Sequence, residues 1–110
     1  MTFDEYVEHD ALGLAALVRN GEISPTELLD TALARIEVRD GQINAVVTSM
    51  EDEARQAIQA GLPDGPFTGV PFALKDLNVH FAGVPTTNGS QIFADFVPDE
   101  DATLVTRYKQ

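Results

Sequence analysis

Between Gly61 and Pro71 the chain reads Gly-Leu-Pro-Asp-Gly-Pro-Phe-Thr-Gly-Val-Pro, with glycine or proline at six of eleven positions. Proline withholds an N–H and glycine gives up the most backbone entropy on ordering, so no regular element survives such a stretch. The chain must therefore be built as a part before this break and a part after it. The first, residues 1–61, reads as a helical arm, and the second, 62–110, as the part that carries the catalytic-looking residues.

In the arm, Ala11, Leu14, Ala15 and Val18 have the spacing of one helical face, and Gly21 offers a stop. A second helix is marked more fully. Ser24 stands as N-cap, Pro25 at the first helical position and Glu27 where it closes a capping box, while Ile23 and Leu28 are placed as a hydrophobic staple. Leu29, Ala32, Leu33 and Ile36 continue its face, Arg35 and Arg39 complement its negative end, and Gly41 is the expected terminator. Ile43 to Thr48 is short and β-branched, a strand or an extended connector. A third helix is expected from a Ser49 and Asp52 capping pair, with Glu51, Asp52 and Glu53 at its positive end, Met50, Ala54, Ala57 and Ile58 on its apolar face, and Gly61 beyond. Nothing in the arm carries chemistry: its charges are a solvated face and its serines are caps.

Beyond the break, Val70, Phe72 and Leu74 alternate as one face of a buried strand does, and Lys75 follows at the end of that run. Lys75 is the only Lys or Arg between Arg55 and Arg107. Two readings of it are open. Either its methylene stem lies along apolar surface with the ammonium in water, or burial keeps the amine neutral so that it serves as a base or nucleophile. Residues 77–82 are too mixed to assign, and Gly83 to Gly89 is a turn-rich loop. His80 has no spaced partner, since His9 lies in the arm, so it reads as a packed or surface imidazole rather than a metal ligand. A last helix is expected with Asp99 and Asp101 at its start and Ala102, Val105 and Tyr108 on its face. That pattern reaches Gln110 with no stop signal, which predicts a natural chain that continues and of which these residues are an amino-terminal fragment.

Hydrolytic chemistry needs a nucleophile, a base and oxyanion donors. The chain has three serines, of which Ser24 and Ser49 read as helix caps and Ser90 as a cap for the segment Gln91 to Ala94. None sits in a Gly-x-Ser-x-Gly elbow, and no His and Asp set accompanies them. A lysine base with a serine nucleophile stays chemically open, without a persuasive serine here to complete it. The absence of cysteine excludes a thiolate nucleophile, a disulfide framework and a Cys-based zinc site. A net charge of -11 makes polyanions and anionic membranes poor partners, so neither nucleic acid nor membrane binding is expected. With no 18-residue apolar run and no basic, apolar leader, the cytoplasm is the expected compartment.

The words Gly69-Val70-Pro71-Phe72-Ala73-Leu74-Lys75-Asp76, Gly83-Val84-Pro85-Thr86-Thr87-Asn88-Gly89-Ser90 and Asp101-Ala102-Thr103-Leu104-Val105 closely resemble the first blocks of the amidase signature family. The likeness extends through the arm, with its Gly21-Glu22-Ile23-Ser24-Pro25-Thr26-Glu27-Leu28, and is most specific around Lys75. It implies an α/β fold, with a helical arm of two to three helices over 1–61 leading into the start of an α/β core over 62–110, the first strands of a mixed sheet covered by helices. It also implies a Ser, cis-Ser, Lys triad in which Lys75 matches the catalytic lysine, with Thr86, Thr87, Gly89 and Ser90 in a loop packed beside the active site. The family's serines and oxyanion hole lie downstream, beyond these 110 residues, so the chain by itself is expected to be inactive. The implied substrate is a small-molecule amide, the implied partner is the carboxy-terminal remainder of the same protein, no cofactor or metal is called for, and a homo-oligomer is compatible. Leu77 stands where transamidating subunits frequently carry Asn, which tilts the likeness toward the branch of 6-aminohexanoate cyclic-dimer hydrolases. The competing expectations are an A-type subunit of a tRNA-dependent amidotransferase and a non-catalytic acidic interaction module on the same scaffold.

Overall fold

The first helix is one that hydrophobic spacing did not announce. In the computed structural model, which describes all 110 residues, α1 (Phe3–Val7) starts on a capping box in which Thr2 N–H donates to the Glu5 carboxylate at 2.7 Å and Glu5 N–H to Thr2 Oγ1 at 3.3 Å. Asp10 then caps α2 (Ala11–Arg19), accepting from Gly13 N–H at 2.8 Å. The chain leaves α2 by a Schellman pair, Gly21 N–H to Val18 O at 3.0 Å and Glu22 N–H to Leu17 O at 2.9 Å.

The capping box and staple read from the sequence both form at α3 (Pro25–Arg39). Glu27 N–H reaches Ser24 Oγ at 3.2 Å and Ser24 N–H reaches the Glu27 carboxylate at 3.0 Å. Ile23 and Leu28 are buried in one cluster with Leu14, and Tyr6, Leu17, Val18 and Val70 pack against it. This cluster is the core of a first compact unit, Met1–Phe72. Two turns along α3 from Leu28, the Arg35 guanidinium lies 3.8 Å over the Phe3 ring and ties α1 to α3 by a cation–π contact. Gly69 closes the unit: at φ 83 it adopts a backbone that a side chain resists, and a Cβ there would stand 3.1 Å from both Val18 and Pro25 carbons.

Past Arg39 the helix tightens into a single 3-10 turn, Asp40–Gln42, so Gly41 lies inside that turn instead of ending the helix. The Asp40 carboxylate then accepts from Ala45 N–H at 2.8 Å and Val46 N–H at 3.1 Å, and Ile43 to Val47 run exposed as a connector rather than a strand. The next helix, α4 (Glu51–Ala60), is present where its acidic first turn predicts, but its N-cap is Met50 and no side chain caps it. Ser49 makes only a long 3.4 Å contact to Glu51 N–H. Arg55 holds α4 to α3, its guanidinium 2.6 Å from Asp30 and 2.8 Å from Glu51.

The expected α/β class is overturned: the chain has five α-helices, two 3-10 turns and no strand. The run Val70 to Leu74 is extended but forms no strand, and the boundary between the two compact units, at Phe72 and Ala73, falls inside it. A strand exists only through a ladder of hydrogen bonds. The other β-branched run is engaged by Asp40, and Pro71 has no N–H to offer.

The second unit, Ala73–Gln110, is built on Val84, Thr86, Pro98 and Val105, all buried. Three backbone bonds cross from 80–86 to 96–102: Gly83 N–H to Pro98 O, Thr86 N–H to Phe96 O and Ala102 N–H to His80 O, at 2.9, 3.0 and 2.9 Å. They do not repeat as a ladder, so this pairing stays irregular. The last helix, α5 (Thr103–Tyr108), starts from Ala102 with no side-chain cap. Asp101, expected to cap or charge that start, accepts from Ala82 N–H at 2.8 Å and from Lys109 Nζ at 2.6 Å, while the same ammonium lies 3.6 Å over the Phe81 ring. No helix is long and apolar enough to cross a membrane.

Candidate active site

Lys75, Thr86, Thr87, Gly89 and Ser90 all belong to the second unit. Lys75 lies on extended backbone and is exposed, and it takes part in none of the three salt bridges of the chain. The desolvation that a neutral lysine base requires is therefore not supplied by these 110 residues.

What the structure brings together is the residue after the lysine and the loop that follows. Asp76 opens a turn at 76–78 and accepts two bonds from Thr87, one from its N–H at 2.6 Å to Oδ1 and one from its hydroxyl to Oδ2. The Thr87 hydroxyl foremost holds the Asp76 carboxyl below the usual carboxylate range; burial opposes it, and the N–H groups of Thr87 and Asn88 add to the lowering. Two residues on, Asn78 N–H donates to Asn88 Oδ1 at 2.9 Å. A strand would have sent the side chains of Lys75 and Asp76 to opposite faces. No strand forms, and the carboxylate is held by Thr87 instead.

The loop is a tight turn. Ser90 N–H bonds Thr87 O at 2.9 Å, and the two residues between, Asn88 and Gly89, have φ of 53 and 66, the positive values that a type I′ turn demands of both central residues. Gly89 N–H also reaches Thr87 Oγ1 at 3.3 Å. Thr86 roots the loop, buried with 3% exposure and bonded through its N–H to Phe96 O.

Ser90 caps the 3-10 turn Gln91–Phe93, its Oγ accepting from Ile92 N–H at 3.3 Å, as its position predicts. Ser24 and Ser49 are occupied with Glu27 and Glu51. No serine of the chain is hydrogen-bonded to Lys75, so the arrangement offers a cation and a preset loop but no nucleophile paired with a base. His80 is half-buried with its ring edge-on to Phe96 at 5.5 Å, a packed imidazole. No group of His, Cys, Asp and Glu is placed to hold a metal ion.

Sequence reasoning gave Asn78 and Asn88 no role of their own. A signal was present: an Asp followed eleven residues later by Thr at the head of Asn-Gly, the dipeptide that a two-residue turn favours.

The family model described as Amidase matches residues 27–110. The chain is 41% identical over 97 residues to the A-type subunit of the glutamyl-tRNA(Gln) amidotransferase of Halothermothrix orenii, covering 88% of this chain and 20% of that protein. It is 39% identical over 102 residues to the 6-aminohexanoate-cyclic-dimer hydrolase of Paenarthrobacter ureafaciens, covering 91% of this chain and 20% of that enzyme. A third relative, the corresponding glutamyl-tRNA(Gln) amidotransferase subunit from Anaeromyxobacter dehalogenans, is 44% identical over 92 residues, 77% of this chain and 18% of its own. The chain thus spans about a fifth of the length of the curated relatives it matches, and both kinds of relative match at nearly equal identity. The match takes in Lys75, Asp76 and the whole 86–90 loop, and with it the chain belongs to the amidase family.

Proposed function

We propose that this chain is the lysine-bearing amino-terminal portion of an amidase that cleaves carboxamide C–N bonds, with Lys75 as the general base of a Ser, cis-Ser, Lys triad. The observation that carries the reading is the family match over 27–110, which includes Lys75 within its most specific words. Lys75 takes the proton from a serine network, and the serine attacks the amide carbonyl. The C–N bond breaks as that proton passes to the leaving nitrogen, which departs as ammonia or an amine, and water then cleaves the acyl group from the serine. The two serines and the oxyanion donors belong to polypeptide beyond these residues, as does the surface that desolvates the lysine. Two features of this chain support the role: Lys75 has no salt-bridge partner, and Thr87 occupies the neighbouring carboxylate. The 110 residues alone are inactive in this reading, because a base without nucleophile and oxyanion donors retains little of the rate enhancement. The compartment is the cytoplasm and the substrate a small-molecule amide.

A second reading, an A-type subunit that moves an amide nitrogen within a tRNA-dependent amidotransferase, is favoured by the 41% identity to one such protein. One experiment addresses both. The full-length protein is purified and offered linear carboxamides, cyclic amides and glutamine, and ammonia or amine release is measured. Release from simple amides by the lone protein, lost in Lys75→Ala, supports the amidase; release from glutamine only when partner subunits are added supports the second reading. Absence of release under every condition contradicts both.

A further inference from the structure

We propose that Asp76 and Thr87 form a positioning pair that fixes where Lys75 stands and keeps the adjacent negative charge off its ammonium, an inference that rests on the base role given to Lys75 above. The geometry is specific. Both oxygens of the Asp76 carboxylate are taken by one residue, Oδ1 by the Thr87 N–H at 2.6 Å and Oδ2 by the Thr87 hydroxyl. Hydrogen bonds to an ionised acceptor are the strong ones, and two from a single residue set direction as well as distance. Asp76 follows Lys75 directly, so its Cα lies one trans peptide, about 3.8 Å, from that of the lysine. Holding Asp76 therefore holds the backbone from which the lysine side chain projects.

The anchor on the other side is rigid. Thr87 is the first residue of the Asn-Gly turn closed by Ser90 N–H to Thr87 O at 2.9 Å. It follows the buried Thr86, whose N–H is bonded to Phe96 O at 3.0 Å. A second tie, Asn78 N–H to Asn88 Oδ1 at 2.9 Å, repeats the connection two residues along. With ties at 76 and 78 the segment leaving Lys75 has one direction, and what remains free is the lysine side chain itself. The Thr87 hydroxyl has one proton, which it gives to Asp76, while its lone pair receives Gly89 N–H at 3.3 Å. Valine at 87 would keep the shape and the N–H but leave Oδ2 without its donor, free to turn toward the neighbouring ammonium. Serine would restore the donor.

The test uses the full-length protein with Lys75→Ala, Thr87→Val, Thr87→Ser, Asp76→Asn and the double variant Asp76→Asn/Thr87→Val, each assayed for kcat and KM on an amide that the unaltered protein turns over. Misplacement of a catalytic group by about 1 Å costs on the order of 100-fold. Thr87→Val is expected to lower kcat by roughly 10- to 100-fold with KM within about threefold, Thr87→Ser to stay within about threefold in both, and the double variant to be no worse than the more damaged single one. A kcat for Thr87→Val within about twofold of the unaltered protein, damage in Thr87→Ser equal to that in Thr87→Val, or multiplicative losses in the double variant each overturn the pair. If Thr87→Val does not fold, Asp76→Asn is read against the same thresholds. Lys75→Ala separates the two levels: activity lost there but normal in Thr87→Val refutes the positioning pair alone, whereas activity retained in Lys75→Ala refutes the base role beneath it.

Discussion

Replacing Leu28 by Ala tests whether the Met1–Phe72 unit is held by the cluster its sequence was read to build. Leu28 is 0% exposed and packs with Leu14 and Ile23, whereas Leu12, on α2, is 52% exposed. Losing three buried carbon groups at about 0.8 kcal/mol each removes roughly 2.4 kcal/mol of transfer free energy. The cavity left behind raises the total to about 3–4 kcal/mol, within the range of roughly 2.7–5.0 kcal/mol for buried leucines. At roughly 0.05–0.15 kcal/mol per residue, a unit of this size has on the order of 4–11 kcal/mol to lose. Leu28→Ala is therefore expected to lower the midpoint of thermal unfolding by about 12–32 °C. Leu12→Ala should cost about 1 kcal/mol or less. Thermal and urea unfolding of the 110-residue chain, followed by far-ultraviolet circular dichroism, measures both. A loss under about 1.5 kcal/mol for Leu28→Ala, or equal losses for the two leucines, would refute the packing argument.

Three further outcomes follow from particular contacts. Ser24→Ala removes the acceptor of the α3 capping box and should cost about 1 kcal/mol, with Ser24→Gly costing only a few tenths, by urea unfolding. Gly69→Ala forces a side chain onto a positive φ and within 3.1 Å of Val18 and Pro25 carbons, so it should destabilise by more than about 1 kcal/mol; an unchanged midpoint would contradict the close approach. Asp76, chiefly through the Thr87 hydroxyl, and Asp101, chiefly through the Lys109 ammonium, have carboxyls held below the usual range in the folded chain. The unfolded chain then binds more protons, so their contribution is present above the unfolded value near ~3.9 and is lost as pH falls through the lower folded values. Amide exchange protection at Thr87 and Ala82, whose N–H groups these carboxylates accept, should fall as pH drops below about 4 after correction for intrinsic exchange. Equal protection on both sides of that range would refute the linkage.

Local signals with a mechanism were readable in the sequence. The Ser24 capping box, the Ile23 and Leu28 staple, the Ser90 cap and the acidic start of α4 each depend on residues within five positions of one another, and each is present. The box at Thr2 and Glu5 carries the same signature but opens a helix of five residues, too short for hydrophobic spacing to show. Signals that need a distant partner failed. Alternation at Val70, Phe72 and Leu74 describes a strand only if another strand lies beside it, and none does. Asp101 looked like a cap because it precedes α5, yet its carboxylate serves Ala82, nineteen residues earlier in the chain. A separation of eleven residues likewise hid the Asp76 and Thr87 contact, while the identity of Lys75 as the residue to examine came from the words around it, not from its burial.

The central claim is that Lys75 acts as a base, and substitution by arginine tests it most directly. Guanidinium keeps the positive charge and much of the reach of lysine but stays protonated, so it can position an anion and cannot accept a proton. Turnover of an amide substrate is measured for the full-length protein and for Lys75→Arg and Lys75→Ala, with folding checked by circular dichroism. The base role predicts that both variants fold and that both lose turnover by about 100- to 10,000-fold. Turnover in Lys75→Arg within about tenfold of the unaltered protein, alongside a dead Lys75→Ala, would make Lys75 a positioning charge and contradict the mechanism.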